Sequence, residues 1–251
     1  SLSNNVVSCI VEDNKHNLWI GTSDGGLNYY DNASQLYKNY LFNSGNLDVP
    51  FKDIKTVYVD EVQDRIYVGA HAGGMMVLHR KSGYIEYYNR HNSNLPSNNI
   101  YSIISDGYGG LWVASLEYLL HFDIDKRNFT IVDVDEDGHK LQQYNRLLFC
   151  DSKKRIWAGG EMGISVFNQV GTSLLPNTDF QIASVLKQAF VNCFYETSSG
   201  YLWIGTRNGL FALKESDKQF LQYTTENGLP SNVIYGILED AYGRLWVRTN
   251  Q

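Results

Sequence analysis

One short motif recurs along the chain at nearly constant spacing and restricts the folds that the chain can adopt. Its best copy begins at Leu202, reads Leu-Trp-Ile-Gly-Thr, and leads through a polar turn to Gly209. Other copies begin at Leu18, Ile66, Leu111, Ile156 and Leu245. Successive copies are 48, 45, 45, 46 and 43 residues apart. A period of this length, made of short strands, is typical of the blades of a β-propeller.

Each repeat contains segments for four short strands separated by turn residues. In the fifth repeat the first strand covers 190–196, the motif strand follows, and two further strands cover 210–213 and 219–223. The intervening turns are rich in Asp, Gly, Asn and Ser, and no helical periodicity lies between them. We therefore predict an all-β propeller of four-stranded antiparallel blades, with five full repeats and half of a sixth. The approximate repeat boundaries are 1–50, 51–94, 95–140, 141–184, 185–228 and 229–251.

Two repeats depart from this pattern. In the fourth, Leu174-Leu175-Pro176-Asn177 interrupts the alternation within 169–184, so an irregular loop or insertion is expected there. The sixth stops after its second strand, so strand 245–249 is expected to have an unpaired edge. Further propeller repeats or a second copy of the chain would cover that edge.

The five tryptophans all occupy the same position of the repeat, and Tyr67 takes that position in the second. One large aromatic residue per blade indicates packing between blades, because a blade cannot bury its own face. Stacking against a sugar ring is the alternative. A glycine follows two residues later in four repeats, which indicates close approach between blades. The four are Gly21, Gly69, Gly159 and Gly205.

Composition excludes several classes of function. The net charge is −6 and there is no run of Lys or Arg, so no nucleic-acid partner is expected. No segment approaches the roughly 18 apolar residues of a membrane span. Cys9 and Cys193 occupy equivalent positions of different repeats, so they and Cys150 are predicted to be free thiols. The histidines show no metal-ligand spacing, and we expect neither a metal nor a cofactor.

No catalytic constellation is evident in the sequence. Asp106, Asp151 and Asp240 each precede a tryptophan by six residues, within a turn. We interpret them as turn caps; the alternative is the carboxylate pair of a glycosidase. There is no Ser/His/Asp set and no glycine-rich phosphate motif. We therefore expect this segment to have no enzymatic activity.

One turn position varies while the rest of the repeat stays constant. Four residues after the tryptophan position, the repeats read Ser23, His71, Leu116, Glu161, Arg207 and Asn250. Recognition residues usually lie on loops of a rigid scaffold. We predict a ligand-binding face made of Asp24, His71, Glu161 and Arg207. The alternative is a set of solvated turns with arbitrary polar residues.

The combined pattern resembles the two-component regulator propeller repeat. The resemblance rests on the link Leu-Pro-Ser-Asn-x-Val, seen at Leu229, and on Asp-x-x-Gly-x-Leu-Trp-Ile-Gly-Thr followed by Gly-Leu. It covers essentially the whole chain and is strongest over 185–251. It implies part of a seven-bladed propeller in the periplasmic sensor region of a hybrid two-component histidine kinase.

The same resemblance implies an oligosaccharide ligand and control of polysaccharide-utilisation genes. The kinase and the membrane helix would lie elsewhere in the parent protein, so contact with the membrane would be made only through those segments. A protein-interaction propeller is the first alternative, and a polysaccharide lyase or glycosidase is the second.

Overall fold

The chain folds almost entirely into short antiparallel strands. The computed structural model describes residues 1–40, 51–132, 145–177, 186–214 and 219–250. It contains two compact units, Ser1–Lys140 and Leu141–Gln251. The described regular structure consists of strands and one short 3-10 helix, Thr225–Asn227.

The first unit contains three four-stranded sheets. In each sheet the strands pair in chain order, so that every blade is an antiparallel meander. The strands are β1 (Val7–Glu12), β2 (Leu18–Thr22), β3 (Gly26–Asp31), β4 (Leu36–Tyr40), β5 (Ile54–Asp60), β6 (Arg65–Ala70), β7 (Gly74–His79), β8 (Ile85–Tyr88), β9 (Ile100–Ser105), β10 (Leu111–Ser115), β11 (Tyr118–Asp123) and β12 (Asn128–Ile131).

The second unit contains two four-stranded sheets and one two-stranded sheet. Its strands are β13 (Asn145–Cys150), β14 (Arg155–Gly160), β15 (Gly163–Val170), β16 (Ser173–Pro176), β17 (Val191–Glu196), β18 (Tyr201–Thr206), β19 (Gly209–Lys214), β20 (Gln219–Tyr223), β21 (Ile234–Glu239) and β22 (Leu245–Thr249). The predicted propeller blades, five complete and a sixth with two strands, are confirmed.

Close packing between neighbouring blades explains the glycine that follows the tryptophan. A Cβ added to Gly205 would lie 2.4 Å from Cys193 Sγ and 2.8 Å from Cγ2 of Ile234 in the next blade. A Cβ added to Gly69 would lie 2.5 Å from Cγ2 of Ile100, again in the next blade. Distances below 3.0 Å require the backbone or its neighbours to move, so the predicted close approach is confirmed.

A repeated carboxylate bridge also joins neighbouring blades. The acceptor is an acidic residue at or just after the end of a blade's first strand. The donor lies in the first turn of the preceding blade. Glu61 accepts from the Asn14 N–H at 2.8 Å in the first unit. Glu239 accepts from the Ser198 N–H at 2.8 Å and Glu196 from the Ser152 N–H at 2.7 Å in the second. These bonds satisfy turn donors and fix the register between blades.

The tryptophan position is buried in most blades but not in all. Trp19, Trp112 and Trp157 are at most 3% exposed and Tyr67 is fully buried, which confirms the core interpretation for them. Trp203 is only half-buried and Trp246 is 59% exposed. Both belong to the end of the second unit, where β21 and β22 form a two-stranded sheet within the described residues. As predicted, β22 pairs on one side only there.

The fourth repeat is more regular than its sequence suggests. The prediction of an irregular loop is wrong for 173–176, which form the outer strand β16 and pair with β15. Pro176 is the last residue of this edge strand, where a missing N–H does not interrupt a ladder. Gly171, with a φ of 59°, lies in the tight turn between the two strands. Residues 178–184 of the predicted loop lie outside the described residues.

All three cysteines are free and partly buried, as predicted. Burial raises the pKa of the Cys9 thiol to about 11 and that of the Cys193 thiol to about 12. Cys9 pairs in register with Gly21, and Cys193 with Gly205, so the two occupy equivalent places in their blades. Their environment is that of small apolar side chains rather than of reactive thiolates.

Candidate functional site

The predicted ligand-binding residues all lie in the turn between the second and third strands of a blade. Asp24 and His71 are in the first unit, and Glu161 and Arg207 are in the second. The backbone of these turns is tied to the start of the same blade. The His71 N–H donates to the Asp53 carbonyl at 2.9 Å, and the Arg207 N–H donates to the Phe190 carbonyl at 3.0 Å.

The same turns are also tied to the linker that enters the next blade. The Gly74 N–H donates to the Asn98 carbonyl at 2.7 Å, and the Gly209 N–H donates to the Asn232 carbonyl at 2.7 Å. Both glycines have a positive φ, 81° and 120° respectively, a conformation that L side chains rarely adopt. The turns are therefore held from two sides, and their variable side chains project from a rigid backbone.

In the first unit the two predicted residues belong to separate local environments. Asp24 is exposed and adopts a φ of 68°. The His71 ring lies 3.8 Å from the Asp53 carboxylate, which also holds the Lys55 ammonium at 2.9 Å. No hydrogen bond or ion pair joins Asp24 to His71 in the described part of the unit. Sequence reasoning missed Asp53 and Lys55, which lie at the start of β5.

In the second unit each predicted residue also has a neighbour that the sequence did not indicate. The Glu161 carboxylate accepts from the Arg146 guanidinium at 2.6 Å, with both side chains 38% exposed. The Arg207 guanidinium lies 3.6 Å above the centre of the Phe190 ring. The structure shows no direct hydrogen bond or ion pair between Glu161 and Arg207 among the residues described. The strand pairing supplies the missing signal, since Asn145 pairs with Gly160 and so brings its neighbour Arg146 beside Glu161.

These turns carry positively and negatively charged side chains that can donate or accept hydrogen bonds. They are therefore suited to binding a polar ligand. Within the described ranges, no group of three or more His, Cys, Asp or Glu side chains is placed to hold a metal ion. The exposed large aromatic residues that the structure describes lie elsewhere, on strands and in other turns. They are Tyr37, Tyr84, Tyr108, Tyr235, Tyr242 and Trp246.

The carboxylates that precede the tryptophans are occupied by their own turns. Asp151 accepts from the Lys153 N–H at 3.0 Å and from the Trp157 indole at 2.8 Å. Asp240 makes the equivalent bond to the Trp246 indole at 3.0 Å. Asp106 accepts from the Tyr108 N–H at 2.7 Å and pairs with the ring of His121 at 2.8 Å. The turn-cap interpretation is confirmed.

Asp13 has the same role, which the sequence analysis did not assign to it. Its burial would raise the pKa of the carboxyl, but hydrogen bonds from Asn17, Lys15 and Trp19 outweigh that effect and lower the pKa. The carboxylate is therefore held in its ionised form by the turn that it closes.

Comparison with known proteins agrees with this architecture. The strand order and the repeat define a β-propeller. The family described as two component regulator propeller matches residues 1–24, 94–117, 186–208 and 228–251. Four segments of the chain therefore resemble this family.

Several known proteins resemble the chain over almost all of its length. Histidine kinase P4 of Formosa agariphila is 24% identical over 265 residues, a match that covers 100% of this chain and 19% of that protein. The extracellular domain of a putative hybrid two component system from B. thetaiotaomicron is 20% identical, with a TM-score of 0.80. That match covers 98% of this chain and 32% of the other.

The propeller fold is shared with proteins of other kinds. Virginiamycin B lyase from Staphylococcus aureus is 15% identical with a TM-score of 0.72, and the match covers 98% of this chain and 79% of the lyase. At this identity the likeness extends to the fold alone. The chain spans a third or less of the histidine kinase and of the two-component system domain. Among the residues that the structure describes, the chain has no helix that is both long and apolar enough to cross a membrane.

Proposed function

We propose that this chain is part of the ligand-sensing propeller of a hybrid two-component sensor histidine kinase. Its place would be the periplasm, and its ligand an oligosaccharide whose binding controls polysaccharide-utilisation genes. The observation that carries the proposal is the match to the two component regulator propeller at four places along the chain. The structural likeness to extracellular domains of putative hybrid two component systems supports it.

The ligand would contact the turns that carry Asp24, His71, Glu161 and Arg207. The backbones of the turns with Asp24, His71 and Arg207 are fixed by hydrogen bonds within the blade and to the next linker, so binding there would cost little loop ordering. Their side chains differ from blade to blade while the supporting glycines recur. This combination of a constant scaffold and variable polar side chains is typical of a recognition surface.

Calorimetric titration of the complete extracellular region against a panel of plant and host oligosaccharides tests this proposal. We expect one class of oligosaccharide to bind, and His71→Ala, Glu161→Ala and Arg207→Ala to weaken its binding. Arg244→Ala is the control, because Arg244 is an exposed cation in the turn between β21 and β22, at the other end of the strands. Unchanged affinity in all three variants would show that these turns do not bind the ligand. Absence of binding throughout the panel would refute the proposal that the ligand is an oligosaccharide.

A protein-interaction propeller is the second candidate, and the distribution of exposed aromatic residues favours it. Tyr242 is 84% exposed and Tyr108 is 70% exposed, both in first turns rather than beside the proposed ligand turns. Exposed aromatic side chains are enriched at protein interfaces. Substituting both tyrosines by Ser should abolish capture of a protein partner under this candidate and leave oligosaccharide titrations unchanged under the first.

We also propose that the segment does not cleave polysaccharides. The four carboxylates nearest the tryptophans are consumed by turn and indole hydrogen bonds, which leaves them poorly placed for acid-base chemistry. Incubation with the same oligosaccharide panel should release neither reducing ends nor unsaturated products. Release of either would restore the lyase or glycosidase alternative.

A further inference from the structure

The first unit contains two equivalent grooves between neighbouring blades, and they are filled differently. In the groove between the first and second sheets, the Trp19 indole lies 3.4 Å from Asp13. The Arg80 guanidinium from the second sheet completes the groove by reaching Asp64 and Glu61, each at 2.6 Å, and Asp13 at 3.4 Å. The charged groups of this groove therefore satisfy one another.

The groove between the second and third sheets lacks both of these elements. Tyr67 occupies the position of Trp19, and Ile124 follows β11 just as Arg80 follows β7. This groove encloses a cavity of about 170 Å³, whereas the groove lined by Asp13, Trp19 and Arg80 holds a larger one of about 330 Å³. Its walls include Arg65 and Tyr67 from one blade and Phe122 and Arg127 from the next.

One buried hydroxyl group of this cavity lacks the hydrogen-bond acceptor that its burial requires. The Tyr67 side chain is fully buried, and its hydroxyl has no hydrogen-bond partner. Burial raises the pKa of this hydroxyl, so it stays protonated and able to donate. The guanidinium of half-buried Arg65 approaches the hydroxyl oxygen as a donor, which partly offsets the rise in pKa, and it offers no acceptor for the hydroxyl proton. Unpaired buried donors are rare because each costs free energy.

The acidic groups of the cavity do not fill this need. Glu86 is engaged with the His79 ring at 2.7 Å and the Tyr88 hydroxyl at 2.8 Å, and lies 3.6 Å from Arg127. Asp125 lines the exposed rim. The unmet requirement is therefore for a hydrogen-bond acceptor at the Tyr67 hydroxyl, beside the positive charge of Arg65.

We propose that this groove binds a small carboxylate ligand, with the Arg65 guanidinium and the Tyr67 hydroxyl as donors and Arg127 at the entrance. Arginine recognises carboxylates through parallel N–H bonds, and the aromatic wall at Phe122 accommodates the carbon skeleton. A uronate sugar and a free carboxylic acid present the same group. The site is separate from the proposed oligosaccharide face, because Arg65 and His71 lie at opposite ends of β6.

NMR titration of the isotope-labelled chain at constant ionic strength tests this inference. The probes are sodium glucuronate, sodium acetate and glucose. We expect saturable shifts of the amides of 65–67 and 122–127 with a carboxylate probe and none with glucose. Arg65→Met and Tyr67→Phe should each weaken binding by about 10-fold or more, as expected for a lost hydrogen bond to a charged group.

The control variant is Lys126→Met, which removes an exposed cation of the neighbouring turn that already pairs with Asp123 at 2.7 Å. It should bind as the unsubstituted chain does. Tyr67→Phe keeps the ring, and thermal unfolding of each variant verifies that the fold is retained.

The probes also separate the two sources of the carboxylate. Equal binding of acetate and glucuronate would assign the site to a free carboxylic acid, and binding of glucuronate alone would assign it to a uronate sugar. The inference is overturned by an equal response to glucose, by no saturable response, or by wild-type binding in both Arg65→Met and Tyr67→Phe. The last two outcomes would mean that the cavity holds water only.

Discussion

The Asp151 carboxylate should contribute strongly to the stability of the second unit. Its side chain is 2% exposed. It accepts from the Lys153 N–H at 3.0 Å, the Arg155 N–H at 2.9 Å, the Arg155 Nε at 2.6 Å and the Trp157 indole at 2.8 Å. Asp151→Ala removes this acceptor from a fully buried indole and from a guanidinium that is 14% exposed. Losing one partner of such a buried charged network should lower the free energy of unfolding by about 3–5 kcal/mol.

Asp240 provides a matched control in the same unit. It accepts from the Tyr242 N–H at 2.9 Å, the Arg244 N–H at 3.0 Å, the Arg244 Nε at 2.7 Å and the Trp246 indole at 3.0 Å. The contacts are the same, but Trp246 is 59% exposed and the Arg244 side chain is 65% exposed. Water can replace the lost acceptor there, so Asp240→Ala should be much less destabilising.

Equilibrium urea unfolding, followed by far-ultraviolet circular dichroism and tryptophan fluorescence, measures both effects. We expect the unfolding midpoint to fall clearly in Asp151→Ala and only slightly in Asp240→Ala, with similar slopes. Equal losses in the two variants would show that burial does not decide the strength of these bonds. A wild-type midpoint in Asp151→Ala would refute the assigned role of the carboxylate.

Three further predictions follow from the same packing and charge arguments. Gly205→Ala should destabilise the chain by about 1–3 kcal/mol, since its Cβ would lie 2.4 Å from a neighbouring sulfur. Gly236→Ala, whose Cβ would come no closer than 3.8 Å to its neighbours, is the control, and equal urea midpoints would contradict the steric argument. Burial raises the pKa of the Cys9 thiol to about 11 and that of the Cys193 thiol to about 12. Both thiols should therefore react slowly with a thiol reagent at about pH 8 in the folded chain and faster in the unfolded chain. Equal rates in the two states would count against this. Hydrogen bonds, led by that from the indole of its blade, hold the pKa of Asp240 at about 2 instead of 3.8. A carboxyl group whose pKa is lower in the folded than in the unfolded chain stabilises the fold at high pH, and this stabilisation is lost as the pH falls through the pKa of the folded chain. Asp240→Asn should therefore make the free energy of unfolding less dependent on pH between about pH 4 and pH 2. A profile identical to that of the unsubstituted chain would disprove this.

The sequence by itself was sufficient to define the blades, because their determinants are local. Alternating strands, turn residues and one aromatic anchor every 43 to 48 residues specify four short strands per repeat. The glycine after the anchor and the aspartate six residues before it could also be interpreted correctly. Both act within one blade or at a contact that every blade repeats. Pro176 was misjudged because its effect depends on whether its strand lies at a sheet edge.

The environment of each repeat was decided only by the tertiary structure. Identical tryptophan positions range from fully buried Trp157 to largely exposed Trp246, because burial depends on the neighbouring sheet. The partners of the proposed ligand residues, such as Arg146 beside Glu161, come from strand pairing between segments 15 residues apart (161 minus 146). The buried Tyr67 hydroxyl that lacks an acceptor is likewise invisible in the sequence. It is recognised only when the next blade, with Phe122 and Ile124, closes the groove around it.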